Sequence, residues 1–210
     1  MTCNLIHMAV DTGRDFESLF SIVIPVLNEE TNIQALLQSI FAQTHRPIEV
    51  IVVDDGSTDR TAELTEKLAD KFNDEHFRIT LIKAKNFEGR SRGPAFARNL
   101  GINCAHGSYV LLVDGDFILT DTGIISELFL ALANNHAARF RANVQIDSWL
   151  EYNLSLDNKA PIFRRKMGSV SGIAFRKQVL EEFHFDTSLG TGEDTDLLDR
   201  IAKKRSLKPT

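Results

Sequence analysis

The chain has 210 residues but only two cysteines, one tryptophan and two tyrosines. Cys3 and Cys104 form no metal-binding or disulfide pattern, which fits a reducing compartment such as the cytoplasm. No apolar stretch reaches the ~18 residues needed to span a bilayer, so no membrane span is expected. Residues 1–20 carry His7, Asp11, Arg14, Asp15 and Glu17 and lack a continuous apolar core. That excludes a secretory signal and leaves a leader or a short extra element. There is no excess of positive charge: the formal net charge is -5, which argues against general nucleic-acid binding. Internal repeats and low-complexity tracts are missing too. So are both familiar phosphate cradles, G-x-x-x-x-G-K-[ST] and a G-x-G-x-x-G after a strand, and the spaced ligands of a calcium loop.

What is present is a globular composition, 43% hydrophobic and 25% charged. The length suits one domain, or one and a fraction, with enough chain to bury a core. Three short apolar runs stand out: Ser21–Leu27, Ile48–Val53 and Ser108–Val113. Each is nearly continuous and rich in Val and Ile, as strands buried on both faces of a parallel sheet are. Arg78–Lys83 is a weaker fourth run. Between them Glu29–Gln43, Asp59–Phe72 and Ala95–Ala105 show helical patterns, so strand and helix alternate. This predicts an α/β fold with right-handed crossovers. Further on, Thr122–Asn134 and Lys177–Phe183 read as helices, and Arg139–Leu150 and Val170–Arg176 as extended. Glu193–Lys204 reads as a closing helix, with Glu193, Asp194 and Asp196 at its start and Lys203, Lys204 and Arg205 at its end, as the helix dipole favours.

Ligands of an open parallel sheet bind beyond the C-terminal ends of its strands. The first strand is followed by Asn28, Glu29 and Glu30, the second by Asp54, Asp55, Gly56 and Ser57, and the third by Asp114, Gly115 and Asp116. Singly these have structural explanations: Asn28 caps a helix, Asp55-Gly56 makes a turn, and Ser57 or Thr58 is an N-cap. Together they predict a site, because converging carboxylates repel one another unless a cation or donor groups offset them. Two carboxylates flanking a glycine after a buried strand suit a hard divalent cation, and Mg²⁺ is commonly held by one or two carboxylates plus substrate phosphates. Without a phosphate loop, metal-mediated diphosphate binding is the economical reading; Arg90, Arg92 and Arg98 could add positive charge there or form a solvated helix face, and Arg90 reads as the latter, Arg98 as the former. Gly190-Thr191-Gly192 leads into Glu193-Asp194, and a carboxylate there could act as a general base if the chain folds it back over the metal site.

SIVIPVLNEE, IEVIVVDDGSTDRT, RGPAFARNLGINCAHGSYVLLVDGD and FDTSLGTGEDTDLLDR, in that order, resemble the family 2 glycosyltransferases of GT-A fold, over about Ser21 to Arg200. The resemblance implies a Rossmann-like, mostly parallel sheet flanked by helices, with a smaller acceptor-side region. It implies that Pro25, Asn28 and Glu29 line the nucleotide pocket, that Asp55 contacts the base with Asp54 beside it, and that Arg98 lies near the donor diphosphate or nucleoside. Asp114-Gly115-Asp116 looks like the family's D-x-D motif. There Asp114 touches ribose or metal, and Asp116 ligates Mg²⁺ or Mn²⁺. Glu193-Asp194 resembles the E-D pair, with Asp194 as general base.

The activity so implied is inverting transfer from a nucleoside-diphosphate sugar, most commonly UDP-linked, to a hydroxyl of a glycan, lipid-linked or small-molecule acceptor. The Q-x-x-R-W motif and membrane helices of processive synthases are missing, which favours single transfer. The expected division is residues 1–20 as leader, 21–120 as nucleotide-sugar half and 121–210 as acceptor and base half. Residues 21–205 form one domain, either of a short member or of a longer protein's fragment. Trp149 and Tyr152 either stack on an acceptor sugar or pack in the core or on the surface. Arg164-Arg165-Lys166 reads first as a solvated loop; the other reading, contact with an acidic or lipid-phosphate acceptor, would allow a peripheral place at the inner membrane face. His184 reads as structural. Two other functions remain open: a sugar-nucleotide pyrophosphorylase, disfavoured by the acidic, glycine-free segment after the first strand, and a non-catalytic nucleotide-sugar-binding module.

Overall fold

The computed structural model describes residues 19–84, 91–133, 137–139 and 170–206. Residues 1–18, Arg90, Trp149, Tyr152 and Arg164-Arg165-Lys166 lie outside the described residues, as does the predicted extended run beyond Arg139. The elements in chain order are β1 (Phe20–Val26), α1 (Ile33–Phe41), β2 (Ile48–Asp54), α2 (Thr61–Phe72), β3 (Phe77–Lys83), α3 (Pro94–Cys104), β4 (Tyr109–Leu112), α4 (Ile124–Leu132), β5 (Ala137–Arg139), β6 (Ile173–Arg176), α5 (Lys177–Glu182) and α6 (Glu193–Ser206).

The strands form one sheet in the order β3-β2-β1-β4-β6-β5. The pairs β1–β2, β1–β4 and β2–β3 are parallel, and β6 runs antiparallel to both its neighbours. The continuous apolar runs of β1 and β2 follow from burial on both faces. Ile22, Ile24, Val50 and Val52 point into a core closed by Leu36 and Leu37 of α1, Leu68 of α2 and Leu128 of α4. Their alternates Val23, Ile51 and Val53 meet Ala97 of α3, Leu180 of α5 and Leu197 of α6 on the other face. The chain moves outward from β1 to β3 with α1 and α2 on one face. It then returns past β1 through α3 on the opposite face to form β4. The direction of winding therefore changes between β1 and β4, and a ligand crevice opens at such a switch point, beyond the strands' C-terminal ends.

The opposite edge of the sheet is closed by a buried polar knot. Glu49 lies beside Ser21 in the β1–β2 register and is 5% exposed. It accepts hydrogen bonds from Ser21 Oγ (2.5 Å), His106 N (2.5 Å) and Gly107 N (3.0 Å), and its second oxygen lies 2.9 Å from His106 Nδ1. Gly107 is obligatory here, since a Cβ would fall 2.4 Å from the Leu19 carbonyl oxygen. Burial pushes the Glu49 carboxyl up, but the hydrogen bonds from His106 and Ser21 outweigh it and hold it below the usual range. The hydrogen bond to Glu49 raises His106 against a smaller opposing effect of desolvation.

Glu49's stabilising contribution is therefore complete above its ordinary pKa of 4.5 and is lost as pH falls through its lower folded value. His106's is complete below its ordinary 6.5 and is lost as pH rises through its higher folded value. The pair contributes most between those two pH values. Glu49→Ala should cost about 2–3 kcal/mol in denaturant unfolding near pH 6, by orphaning the Ser21 hydroxyl and two amides. His106→Ala should cost less, and its cost should shrink between pH 6 and pH 8.5. A pH-independent cost of His106→Ala would show that the ion pair contributes nothing.

Cys104, the last residue of α3, is partly buried and packs against the core on the α3 face of the sheet. Among the described residues no helix is long and apolar enough to cross a membrane.

Candidate active site

The segments after β1 and β2 are tied together by their polar side chains. Asn28 sits at φ 57, a left-handed conformation that Asn tolerates better than most residues. Its Oδ1 accepts from Thr58 N (2.9 Å) and its own N–H donates to Ser57 Oγ (2.9 Å). Glu29 N donates to Thr61 Oγ1 (2.8 Å), Glu30 N to Asp59 Oδ2 (3.0 Å), and Glu30 Oε2 accepts from Arg60 N (3.1 Å). Asp54 turns back into its own loop and accepts from Gly56 N (3.1 Å) and Ser57 N (2.7 Å). Asn28 and Asp54 are thus engaged in building the wall of the crevice. Pro25 lies half-buried in β1 opposite Val53.

Asp55 points the other way, into the segment leading to α3. Its Oδ2 accepts from Ser91 Oγ (2.5 Å), Arg92 N (2.8 Å) and Gly93 N (2.7 Å). Its Oδ1 is buried and has no hydrogen-bond partner among the described residues. A buried acceptor left unpaired costs free energy, so this atom is free to take a further donor. The Ser91–Gly93 clasp was not foreseen from sequence. The signal available was a small polar residue and a glycine just before Pro94, which occupies the first turn of α3 as prolines do.

The second constellation gathers residues from three distant parts of the chain. Arg98, on α3, is 5% exposed. Its Nη1 donates to Glu193 Oε1 and to Asp194 Oδ1, both at 2.9 Å, and its Nη2 to Asp114 Oδ1 at 2.8 Å. Asp194 Oδ2 accepts from Val170 N (3.0 Å), and Asp114 N donates to Ser171 Oγ (2.9 Å). Burial pulls the Arg98 pKa down, but Asp194, Asp114 and Glu193 more than offset it, so the guanidinium is charged. Burial raises Asp194 above the usual carboxylate range although Arg98 acts against it. Val170 and Ser171 went unnoticed in the sequence: one acts through its backbone, and the other is an ordinary serine at a turn.

One positive charge here faces three negative ones, and Asp116 stands exposed close by in sequence. Gly115 lets the D-G-D turn lie against the β1 segment, since a Cβ there would meet Glu29 Cγ at 2.8 Å. Among the described residues no three potential ligands form a ready metal cage. The donor set nevertheless fits Mg²⁺ or Mn²⁺, because such ions are held by one or two carboxylates and complete their shell with substrate phosphates. Arg92 is exposed, with its guanidinium 3.5 Å from the Phe96 ring centroid. His184 is exposed, and its carbonyl accepts from Arg200 Nη2 (2.6 Å), a structural use.

The family model described as glycosyl transferase family 2 matches residues 21–183. An uncharacterized glycosyltransferase of Haemophilus influenzae is 33% identical over 117 residues, which cover 56% of this chain and 44% of that protein. A crystal structure of residues 1–349 of TarS from Staphylococcus aureus in complex with UDP superimposes with a TM-score of 0.67 at 25% identity, covering 87% of this chain and 54% of that one. A mannosyltransferase from Pyrobaculum calidifontis in complex with GDP-Man and Mn²⁺ shares the fold, with a TM-score of 0.63 at 23% identity, covering 87% of this chain and 51% of that one. The chain spans less than half of the Haemophilus relative and about half of each of the two structures. The expected GT-A type α/β architecture holds.

Proposed function

The chain belongs to glycosyl transferase family 2, and from that premise we propose that it is an inverting, single-transfer enzyme. It moves a sugar from a nucleoside-diphosphate sugar, UDP-linked by preference, to an acceptor hydroxyl with the help of a divalent cation. One observation carries this reading: carboxylates from the D-G-D turn and the E-D pair meet on one buried guanidinium at the sheet's switch point.

Asp55 reads the base, its unpaired Oδ1 accepting a nucleobase N–H such as the uracil imide. Pro25, Asn28, Glu29 and Asp54 shape the pocket around it. Asp114 and Asp116 hold Mg²⁺ or Mn²⁺. The bound cation supplies Lewis acidity toward the departing diphosphate. Asp194 takes the proton of the acceptor hydroxyl, and its raised pKa makes it a stronger base than an ordinary aspartate. Glu193, beside it, shares Arg98 and keeps the E-D turn seated. Attack opposite the leaving diphosphate inverts the anomeric centre, and no covalent enzyme intermediate is needed. The acceptor is a glycan, a lipid-linked sugar or a small molecule.

A ligand that binds only the native state raises its apparent stability. UDP at about a hundredfold excess over its Kd, with Mn²⁺, should raise Tm by roughly 5–10 °C. CDP, whose cytosine N3 accepts rather than donates a hydrogen bond, should raise it less, and Asp55→Ala should abolish that preference. An equal response to UDP and CDP, or an unchanged preference in Asp55→Ala, would remove Asp55 from base recognition.

A further inference from the structure

We propose that Arg98 is a positioning residue for the general base rather than a ligand of the donor diphosphate. The inference rests on the glycosyltransferase reading above and assigns a job within that site.

Both terminal nitrogens of Arg98 are engaged by protein carboxylates, Nη1 by Glu193 and Asp194 and Nη2 by Asp114. The side chain is 6% exposed, so it offers little surface to a ligand. It spans 96 positions of sequence to reach Asp194 and only 16 to reach Asp114. The guanidinium is thus the joint between the D-G-D turn and the first turn of α6. The neighbouring residue reinforces it. Asn99 Nδ2 donates to the Phe185 carbonyl (2.9 Å), and Asn99 Oδ1 accepts from Phe185 N (3.0 Å). The Phe185 ring centroid lies 5.4 Å from the Arg98 guanidinium carbon. Two consecutive residues of α3 therefore hold the segment that carries the base, one through carboxylates and one through backbone.

The Asp194 carboxylate is oriented from both ends. Oδ1 takes the Arg98 donor from α3, and Oδ2 takes Val170 N from just before β6. Two fixed donors leave the carboxylate little freedom to rotate. A base displaced by ~1 Å costs on the order of a hundredfold in rate. Lysine cannot substitute, because one ammonium point charge does not reproduce a planar fork bridging three carboxylates.

The test measures UDP release from UDP-N-acetylglucosamine, UDP-glucose and UDP-galactose with Mn²⁺, UDP binding by calorimetry, and thermal unfolding. Arg98→Lys and Asn99→Ala are made alone and in an Asp194→Asn background. Arg98→Lys should lower kcat by roughly a hundredfold or more, with KM and the UDP Kd within about threefold of wild type. Asn99→Ala should lower kcat about tenfold with the same KM. Both losses should vanish in the Asp194→Asn background, because the residue they position no longer acts.

A tenfold rise in KM or UDP Kd with kcat retained would make Arg98 a donor ligand and overturn the proposal. So would losses that persist undiminished in the Asp194→Asn background. If Arg98→Lys does not unfold cooperatively, Asn99→Ala decides by the same two criteria. Wild-type protein that releases no UDP from any of the three sugars fails the glycosyltransferase reading itself, an outcome distinct from the others.

Discussion

Asp194→Asn is expected to lower turnover by roughly 10²–10⁴-fold while leaving UDP affinity within about threefold. Asparagine has the same shape, so it can still accept from Arg98 or from Val170 N, and the first turn of α6 stays seated. What it loses is the capacity to take a proton. Arg98 retains Asp114 and Glu193 as charged partners, so no buried cation is left unpaired and the fold should survive. Initial rates of UDP release together with calorimetric UDP binding check both halves. Normal turnover in this variant would mean that Asp194 is not the base.

Asp116→Ala should abolish Mn²⁺-dependent strengthening of donor binding and lower turnover by about 10³-fold, the scale of a lost Lewis acid worth several kcal/mol. Asp116 is exposed and follows the buried strand β4 on a turn, so its removal leaves no cavity. The apo protein should unfold within about 1 °C of wild type, as surface substitutions usually do. UDP titrations with Mn²⁺ and with EDTA separate the two expectations. If Asp116→Ala still binds UDP more tightly with Mn²⁺ than with EDTA, the cation is held elsewhere.

The sheet was legible because its strands are buried on both faces. Ser21–Leu27 and Ile48–Val53 read as unbroken apolar runs, and the structure places β1 and β2 within one residue of those bounds. Helix periodicity gave the extents of α2, α3 and α5 nearly as well, because one stripe of each helix must face the sheet. The antiparallel direction of β6 was not legible, since direction depends on the partner strand and the apolar pattern of a buried strand is the same either way.

In the site, sequence identified which residues carry charge but not where each side chain turns. Asp54 and Asp55 are adjacent and chemically alike. A strand's alternation sends one into its own loop and the other toward Ser91, 36 positions away. Arg98 was singled out as a cation for the diphosphate. Its three carboxylate partners come from residues 114, 193 and 194, and only tertiary packing brings them together. Val170 was invisible because its contribution is a backbone N–H, which every residue except proline has.

Metal-assisted inverting transfer from a nucleotide sugar is tested by following the hydrolysis of α-linked UDP-sugars with proton NMR, with Mn²⁺ and with EDTA. UDP release should require Mn²⁺, with the β-anomer of the sugar appearing first and the α-anomer only by later mutarotation. First appearance of the α-anomer would contradict inversion. Release of pyrophosphate from nucleoside triphosphate and sugar phosphate, with UDP-sugars left intact, would contradict sugar transfer altogether.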